Sequence, residues 1–214
     1  KIFDELYIKY GFIQGDGCTG RLDSETHKGL EVNIGKKDND VYLLFRNDKY
    51  TKSKRKIYLQ GYNDKLIELG FNSNSLPNRT FPTTYDDWTN HQKSSFLQGC
   101  YSANGSVIKK HRISYKTTCK EFAEKLVDTL HKDFNIYAYI TTNKAKNNTF
   151  SNGVYLCKES YDVSISRYAD IQKFHNEINF YHLYKKLDLR NLLVNKAPYV
   201  MNIKNNGLQK VYDF

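Results

Sequence analysis

The sequence YGFIQGDG at residues 10–17 recurs without gaps as QGCYSANG at residues 98–105, so that Asp16 aligns with Asn104. Strand-like sequence follows each copy after a short polar link. A segment repeated at so long a spacing indicates a chain built from two similar units, each opened by the same short motif.

The two units also end alike, because ELGF at residues 68–71 resembles EINF at residues 177–180. The second unit is longer by about twenty residues, the size of an added hairpin. The predicted organisation is a first repeat over 1–86 that ends in a linker at 72–86, a second repeat over 87–195 and a C-terminal tail over 196–214. The linker is predicted from its Asn, Ser, Pro and Thr content.

Helices are predicted over 2–15 and 89–103, and each carries small residues four positions apart. The predicted helix-contact residues are Gly11, Gly15, Gly99 and Ala103. Without bulky side chains at these positions two helix backbones can approach closely. A glycine follows each motif, and we expect Gly17 and Gly105 to end the helices with positive φ.

Packing the two helices side by side would bring Asp16 and Asn104 to one end of the contact. Two oxygen ligands there, together with the oxygens of a scissile phosphate, suit a hard cation such as Mg²⁺. A single Asp-Gly after a helix is an ordinary helix stop, but two copies with small residues at the same offsets favour a functional site.

The remaining elements are predicted from periodicity and capping residues. Strands are predicted at 29–34, 54–59, 106–110, 112–116, 136–141, 154–158 and 161–166, and helices at 37–45, 63–69, from a Thr118 cap to Leu130, and at 169–177. Residues 136–141 and 154–158 are expected to flank the polar loop 143–152 as one long hairpin.

The chain has 214 residues, with 33 Lys and Arg against 23 Asp and Glu, a net charge of +10 and a pI near 9.2. Such a cationic surplus favours polyanionic partners. The absence of a long apolar window and of a signal-like start predicts an intracellular protein, neither membrane-bound nor secreted. Its four widely spaced cysteines are expected to be reduced rather than bound to zinc or paired.

The paired motifs resemble those of LAGLIDADG homing endonucleases in the single-chain, two-repeat, intein- or intron-encoded form. The resemblance extends to residues 29–40, 82–103 and 177–187. It implies an α+β fold, a pseudo-twofold pair of αββαββα repeats whose strands form a DNA-binding saddle, in a monomer. It also implies Mg²⁺-dependent cleavage across the minor groove of a long duplex, with Mn²⁺ or Ca²⁺ able to substitute in binding.

The resemblance implies roles for particular residues. The implied metal site is Asp16, Asn104, Gly15 and Ala103. The implied catalytic residues are Asp16, Asn104 and a nearby basic residue, Lys185. Lys186 is the alternative to Lys185, and Arg79 is the candidate for the basic residue in the first repeat. Gln14 and Ser102 are expected to touch metal-bound water or to bridge the helices.

Cations alternate along predicted strands, which places them on one sheet face where phosphates or guanine edges can lie. The predicted DNA-binding residues are Lys52, Lys54, Lys56, Arg112, Ser114, Lys116, Lys144 and Lys146. A solvated outer face is the alternative interpretation of this pattern.

At the second motif Asn104 stands where the resemblance implies an acid. A neutral ligand weakens a Mg²⁺ site, so we expect reduced cleavage, nicking of one strand, or a substitution that traps an uncleaved complex. The alternative function is a cleavage-deficient nucleic-acid-binding protein or an intron RNA maturase of the same fold.

Overall fold

The computed structural model describes residues 2–24, 26, 29–75, 77–108, 111–150 and 153–197. The helices are α1 (Glu5–Asp16), α2 (Val41–Leu44), α3 (Asn63–Glu68), α4 (Asn90–Asn104), α5 (Lys120–Phe134), α6 (Tyr168–Glu177) and α7 (Leu183–Lys196). The strands are β1 (Gly29–Asn33), β2 (Tyr50–Ser53), β3 (Lys56–Gln60), β4 (Gly105–Ile108), β5 (Arg112–Thr117), β6 (Tyr139–Asn143), β7 (Lys146–Phe150), β8 (Gly153–Cys157) and β9 (Ser160–Ile165).

The two motif helices, α1 and α4, pack against each other and start at strong caps. The Asp4 side chain accepts hydrogen bonds from the backbone of Leu6 and Tyr7, which satisfies free N–H groups at the start of α1. Thr89 and Gln92 form a reciprocal capping box at the start of α4.

Two antiparallel sheets follow the motif helices, one in each half of the chain. The first has the strand order β1-β3-β2 and the second has the order β4-β5-β9-β6. In the first sheet alternate residues are buried, with Leu30 and Val32 of β1 and Ile57 and Leu59 of β3 facing the core. In the second sheet most residues of β5 and β9 are buried. The structure is thus α+β, with helices and antiparallel sheets, as the sequence predicts.

The first sheet has one strand fewer than the predicted αββαββα pattern. Where β4 pairs with β5 from Gly105 onward, the first half has a single bridge between Gly17 and Val32. The chain then leaves the first sheet in a turn, in which Leu22 N donates to the Thr19 carbonyl at 3.2 Å.

The long hairpin is present, but its predicted pairing is wrong. Strand β6 pairs with β9, and the polar segment predicted as a loop contributes β7, which pairs with β8. Asn143 is opposite Ser160 and Lys146 is opposite Cys157, with two residues between the ladders on each side. The hairpin therefore continues in one register through the added residues.

Four local features differ from the predictions. The helix expected over 37–45 is the short α2, and strand β2 was not predicted. Lys54, expected within a strand, has a φ of 48° in the turn between β2 and β3. Helix α5 is capped by Cys119 without a side-chain bond, while Thr118 lies outside it.

The segment predicted as a linker contains only a short 3-10 turn at Tyr85–Asp87, yet much of it is packed. The Phe81 ring lies 4.3 Å from the Phe122 ring, and Tyr85 is nearly fully buried. Burying large aromatic rings removes apolar surface from water, so this segment joins the core instead of crossing the surface.

No helix in the described part of the chain is both long enough and apolar enough to cross a bilayer. The thiols of Cys18, Cys100 and Cys119 are free, and those of Cys100 and Cys119 are buried.

Candidate functional site

The contact between α1 and α4 depends on glycine in both helices. A Cβ added at Gly11 would lie 1.9 Å from the carbonyl oxygen of Phe96, and one added at Gly99 would lie 2.1 Å from that of Ile8. Side chains are excluded at both positions because neither backbone oxygen can move aside without separating the helices.

One turn further along, Gly15 faces Ala103. A Cβ at Gly15 would lie 2.3 Å from the Ala103 Cβ and 3.2 Å from the side-chain nitrogen of Asn104. All four residues predicted at the helix contact therefore lie there. The Asn104 amide is beside the residue that precedes Asp16, so the two motif ends are brought together.

The reason predicted for the terminal glycines is wrong. Gly17 and Gly105 have φ values of −78° and −87°, in the extended region rather than the left-handed one. Glycine is required for space instead, because a Cβ would lie 2.5 Å from the Ile13 or Tyr101 carbonyl oxygen, respectively.

Asp16 lies partly buried at the end of α1. Desolvation raises its pKa to about 6, while Lys185 and Arg79 favour the ionised form and Asp38 opposes it. Near its counterpart Asn104, burial raises the pKa of the Tyr115 hydroxyl, and the Asn104 side chain acts in the opposite direction. A carboxylate that lacks full compensation for lost solvation is a favourable place for a cation.

A basic side chain approaches each motif end from the closing segment of its own half. Arg79 Nη1 donates to the carbonyls of Gln14 (3.1 Å) and Gly15 (3.5 Å). Lys185 Nζ donates to the aligned carbonyls, those of Ser102 (2.5 Å) and Ala103 (3.4 Å). Arg79 and Lys185 therefore occupy matching positions, a relation that the sequence showed only weakly for Arg79.

Burial lowers the pKa of both basic groups. For Lys185 it reaches about 8, although Asp38, Asp16 and Asp40 favour the charged form. Lys186, the alternative candidate, lies against the Tyr181 ring with its Nζ 5.9 Å from the centroid. Of the two neighbouring lysines, Lys185 is the one directed at a motif end.

A group of contacts that we call the clasp joins the start of α7 to the segment before α2. The Asp40 carboxylate accepts from His182 Nδ1 at 2.5 Å and from the Leu183 backbone at 3.0 Å. The Asp38 carboxylate accepts from the Tyr184 hydroxyl at 2.9 Å. The clasp therefore ties the second half of the chain to the first beside Lys185.

Gln14 and Ser102 bridge the motif helices to the closing segments. Gln14 Nε2 donates to the Thr80 carbonyl at 2.8 Å. The Ser102 hydroxyl donates to the Gln98 carbonyl and accepts from the Tyr181 backbone, both at 2.6 Å. The Gln14 side-chain N–H and the Ser102 hydroxyl are thus occupied within the protein.

The donors at the motif ends fit one hard cation better than two. Asp16 supplies a carboxylate and Asn104 a neutral amide oxygen, which are suitable ligands for Mg²⁺. The carbonyls of Gly15 and Ala103, predicted as ligands, already accept the long bonds from the basic residues. Within the described ranges, no group of three or more His, Cys, Asp or Glu forms a metal cluster.

The prediction that three lysines share one face of the first sheet is wrong. Lys52 is opposite the buried Ile57, and its Nζ lies 3.8 Å above the Tyr42 ring, towards α2. Lys54 is in the turn, and only Lys56 lies on the outer face. There its Nζ is paired with the Glu31 carboxylate at 2.6 Å.

The second sheet carries its predicted row. Arg112, Ser114 and Lys116 alternate with the buried residues of β5, although Ser114 is itself only 5% exposed. The partner of Lys116 across the ladder is Asp162. The outer faces are therefore polar and mixed in charge, rather than rows of cations.

The two remaining predicted DNA contacts, Lys144 and Lys146, lie exposed where the extended hairpin leaves the second sheet. Sequence reasoning missed Asp38 and Tyr115, which adjoin the motif ends. Each has a signal in the sequence. Asp38 lies in the acidic run that follows Gly35, and Tyr115 comes after Asn104, which stands just before a strand.

Comparison with known proteins agrees with this architecture. Residues 91–179, less than half of the chain, match the LAGLIDADG-like domain family. No curated protein matches.

The structure is similar to the crystal structure of full-length DUF199/WhiA from Thermatoga maritima, with a TM-score of 0.54 and 16% identity over 96% of this chain and 65% of that one. It is also similar to the N-terminal LAGLIDADG domain of DUF199/WhiA, with a TM-score of 0.51 and 17% identity over 87% of each chain. This chain thus spans just under two thirds of the full-length protein, and the likeness concerns the fold alone. The family match over residues 91–179 and these two structures therefore agree on a LAGLIDADG-like fold.

Proposed function

We propose that this protein binds a long DNA duplex along the outer faces of its two sheets and hydrolyses it slowly, with a preference for one strand. The proposal rests mainly on the crossing of α1 and α4, which brings Asp16 and Asn104 together beside two inward-directed basic residues. Since both halves belong to one chain, a monomer would present both faces to one duplex.

The two motif ends would contribute unequally. Asp16 would hold a divalent cation through its carboxylate, and Asn104 would add a neutral oxygen. A bound cation would supply Lewis-acid polarisation of the scissile phosphate and an acidified water. Lys185 and Arg79 hold the carbonyls that precede these ligands and add positive charge where phosphate charge develops.

The test is cleavage of a supercoiled plasmid library carrying long random duplex inserts, with Mg²⁺ or Mn²⁺. We expect slow nicking and little linear product. Asn104→Asp should raise linear product at least tenfold, because a second carboxylate completes the cation site, while Asp16→Asn should remove nicking. Nicking that survives Asp16→Asn would overturn the cleavage proposal.

Binding without cleavage is the second candidate function. It is favoured by Asn104 itself, whose neutral amide stands where the first motif has the Asp16 carboxylate. In that case the library would give shifted duplexes with no breaks in either variant. A preference for structured RNA over duplex DNA in competition would indicate the maturase alternative instead.

A further inference from the structure

The extension of the second hairpin has no counterpart in the first half. The hairpin of β2 and β3 ends after the pair Ser53 and Lys56. The hairpin of β6 and β9 continues in the same register through β7 and β8 to the pair Phe150 and Gly153. At roughly 3.4 Å per residue, the seven residues after Asn143 reach about 24 Å further.

Register fixes which residues continue the outer face of the second sheet. Thr141 and Asn143 of β6 lie on that face, and the Asn143 amide donates to Asp162 at 2.9 Å. Two residues on each strand separate the ladders, so the alternation of sides is preserved across the break. The residues that continue this face are Asn147, Thr149, Val154 and Leu156.

These four residues, which we call the ribbon face, are all exposed, with Val154 at 64% and Leu156 at 72%. They offer one amide, one hydroxyl and several methyl groups. Lys144, Lys146 and Lys158 are exposed near its base. Exposed apolar side chains beside cations are unusual on a solvated strand and indicate a surface that becomes covered.

We propose that the ribbon face enters the major groove beyond the central site on one side only and reads an A·T-rich flank. This inference rests on the proposed DNA binding. A two-stranded ribbon fits the major groove, asparagine pairs with both adenine edge groups, and aliphatic or threonine methyl groups contact the thymine methyl. The neighbouring lysines contact phosphates.

The length of the extension sets the size of the effect. About 24 Å corresponds to roughly seven base pairs at 3.4 Å per pair. The protected region should therefore extend about seven base pairs further on the side of the second half, and selected sequences should be richer in A·T pairs there.

The test is selection of binding duplexes from a random library, followed by hydroxyl-radical footprinting. The deletion variant joins Asn143 to Ser160 through Asn-Gly, a sequence that closes two-residue hairpins, so β6 and β9 stay paired. We expect the deletion to shorten the footprint on one side by about seven base pairs and to leave the other side unchanged.

Point variants on the two faces of the ribbon separate base reading from phosphate contact. Asn147→Ala should lose about tenfold in affinity for its preferred adenine and relax preference at that pair. Lys146→Ala, on the opposite face, should weaken all sequences equally.

The outcomes distinguish this inference from the function on which it rests. Absence of any duplex binding would remove both. Duplex binding with a footprint that the deletion leaves unchanged would overturn the ribbon assignment alone. Loss of self-association in the deletion variant, with the footprint intact, would identify a second copy of the chain as the occupant and would also overturn it.

Discussion

The two halves of this molecule have matching contacts where they pack against each other, and different strands elsewhere. Gly11 meets the Phe96 carbonyl just as Gly99 meets that of Ile8, and Arg79 reaches carbonyls that align with those of Lys185. Away from this contact, the first sheet lacks a strand and the second has an extended hairpin. Close backbone packing therefore preserves the repeat at the centre, while the outer strands have diverged.

The largest expected effect comes from breaking the central contact. Gly11→Ala or Gly99→Ala should each lower the free energy of unfolding by more than about 4 kcal/mol, because the added carbon cannot fit without separating two helices. Urea unfolding followed by circular dichroism measures the loss. If the contact is symmetric, the two variants lose similar amounts.

Two variants serve as controls for that prediction. At Gly29 an added carbon has its nearest neighbour at 4.0 Å, so Gly29→Ala should change stability by about 0.5 kcal/mol or less. Combining Gly15→Ala with Ala103→Gly should recover most of what Gly15→Ala loses. A Gly11→Ala variant as stable as Gly29→Ala would contradict the packing described here.

A smaller effect on stability should come from the Asp16 carboxylate at the first motif end. Burial raises the Asp16 pKa from 3.8 to about 6, so the folded state binds its proton more tightly than the unfolded chain does. Stability from this group is full below pH 4 and is lost as pH rises through 6. Without metal, Asp16→Asn should therefore be more stable than the parent by about 1–2 kcal/mol at pH 7.5, and nearly equal to it at pH 4.

Urea unfolding in chelator at the two pH values measures this difference. Added Mg²⁺ should raise the stability of the parent and leave that of Asp16→Asn unchanged. An equal difference at both pH values would show that the carboxylate is not held in the environment described.

The smallest effect should distinguish the two sheet faces. Lys116→Ala should reduce the slope of log K against log salt for duplex binding by about 1, since one phosphate contact is lost. Lys52→Ala should leave the slope unchanged, because that side chain lies over the Tyr42 ring. Fluorescence anisotropy over a salt series measures both, and a slope change for Lys52→Ala would contradict its orientation.

The centre of this fold was predictable from sequence because the repeat carries its own signal. Small residues four apart defined the helix contact, and alternation in Arg112–Lys116 defined the face of β5. The site was only partly predictable. Asp38 and Tyr115 join the motif ends through tertiary packing, which leaves no local pattern in the chain.

The errors have definite physical causes. The lysines at 52, 54 and 56 read as one alternating strand, but a tight turn at Lys54 divides them between two strands and two faces. The pairing of β7 with β8 was missed because the polar residues of β7 lie on an exposed ribbon and show no alternation of apolar and polar positions.

The clasp has a consequence for how the protein is made. Asp38 and Asp40 emerge from the ribosome well before their partners His182, Leu183 and Tyr184, which lie about 140 residues further along the chain. The glycine-lined side of α1 likewise has no packing partner until α4 has been translated. The first half therefore keeps unpaired carboxylates and an uncovered apolar helix side while the residues up to α7 are translated. During this interval the nascent chain is most exposed to aggregation or chaperone capture.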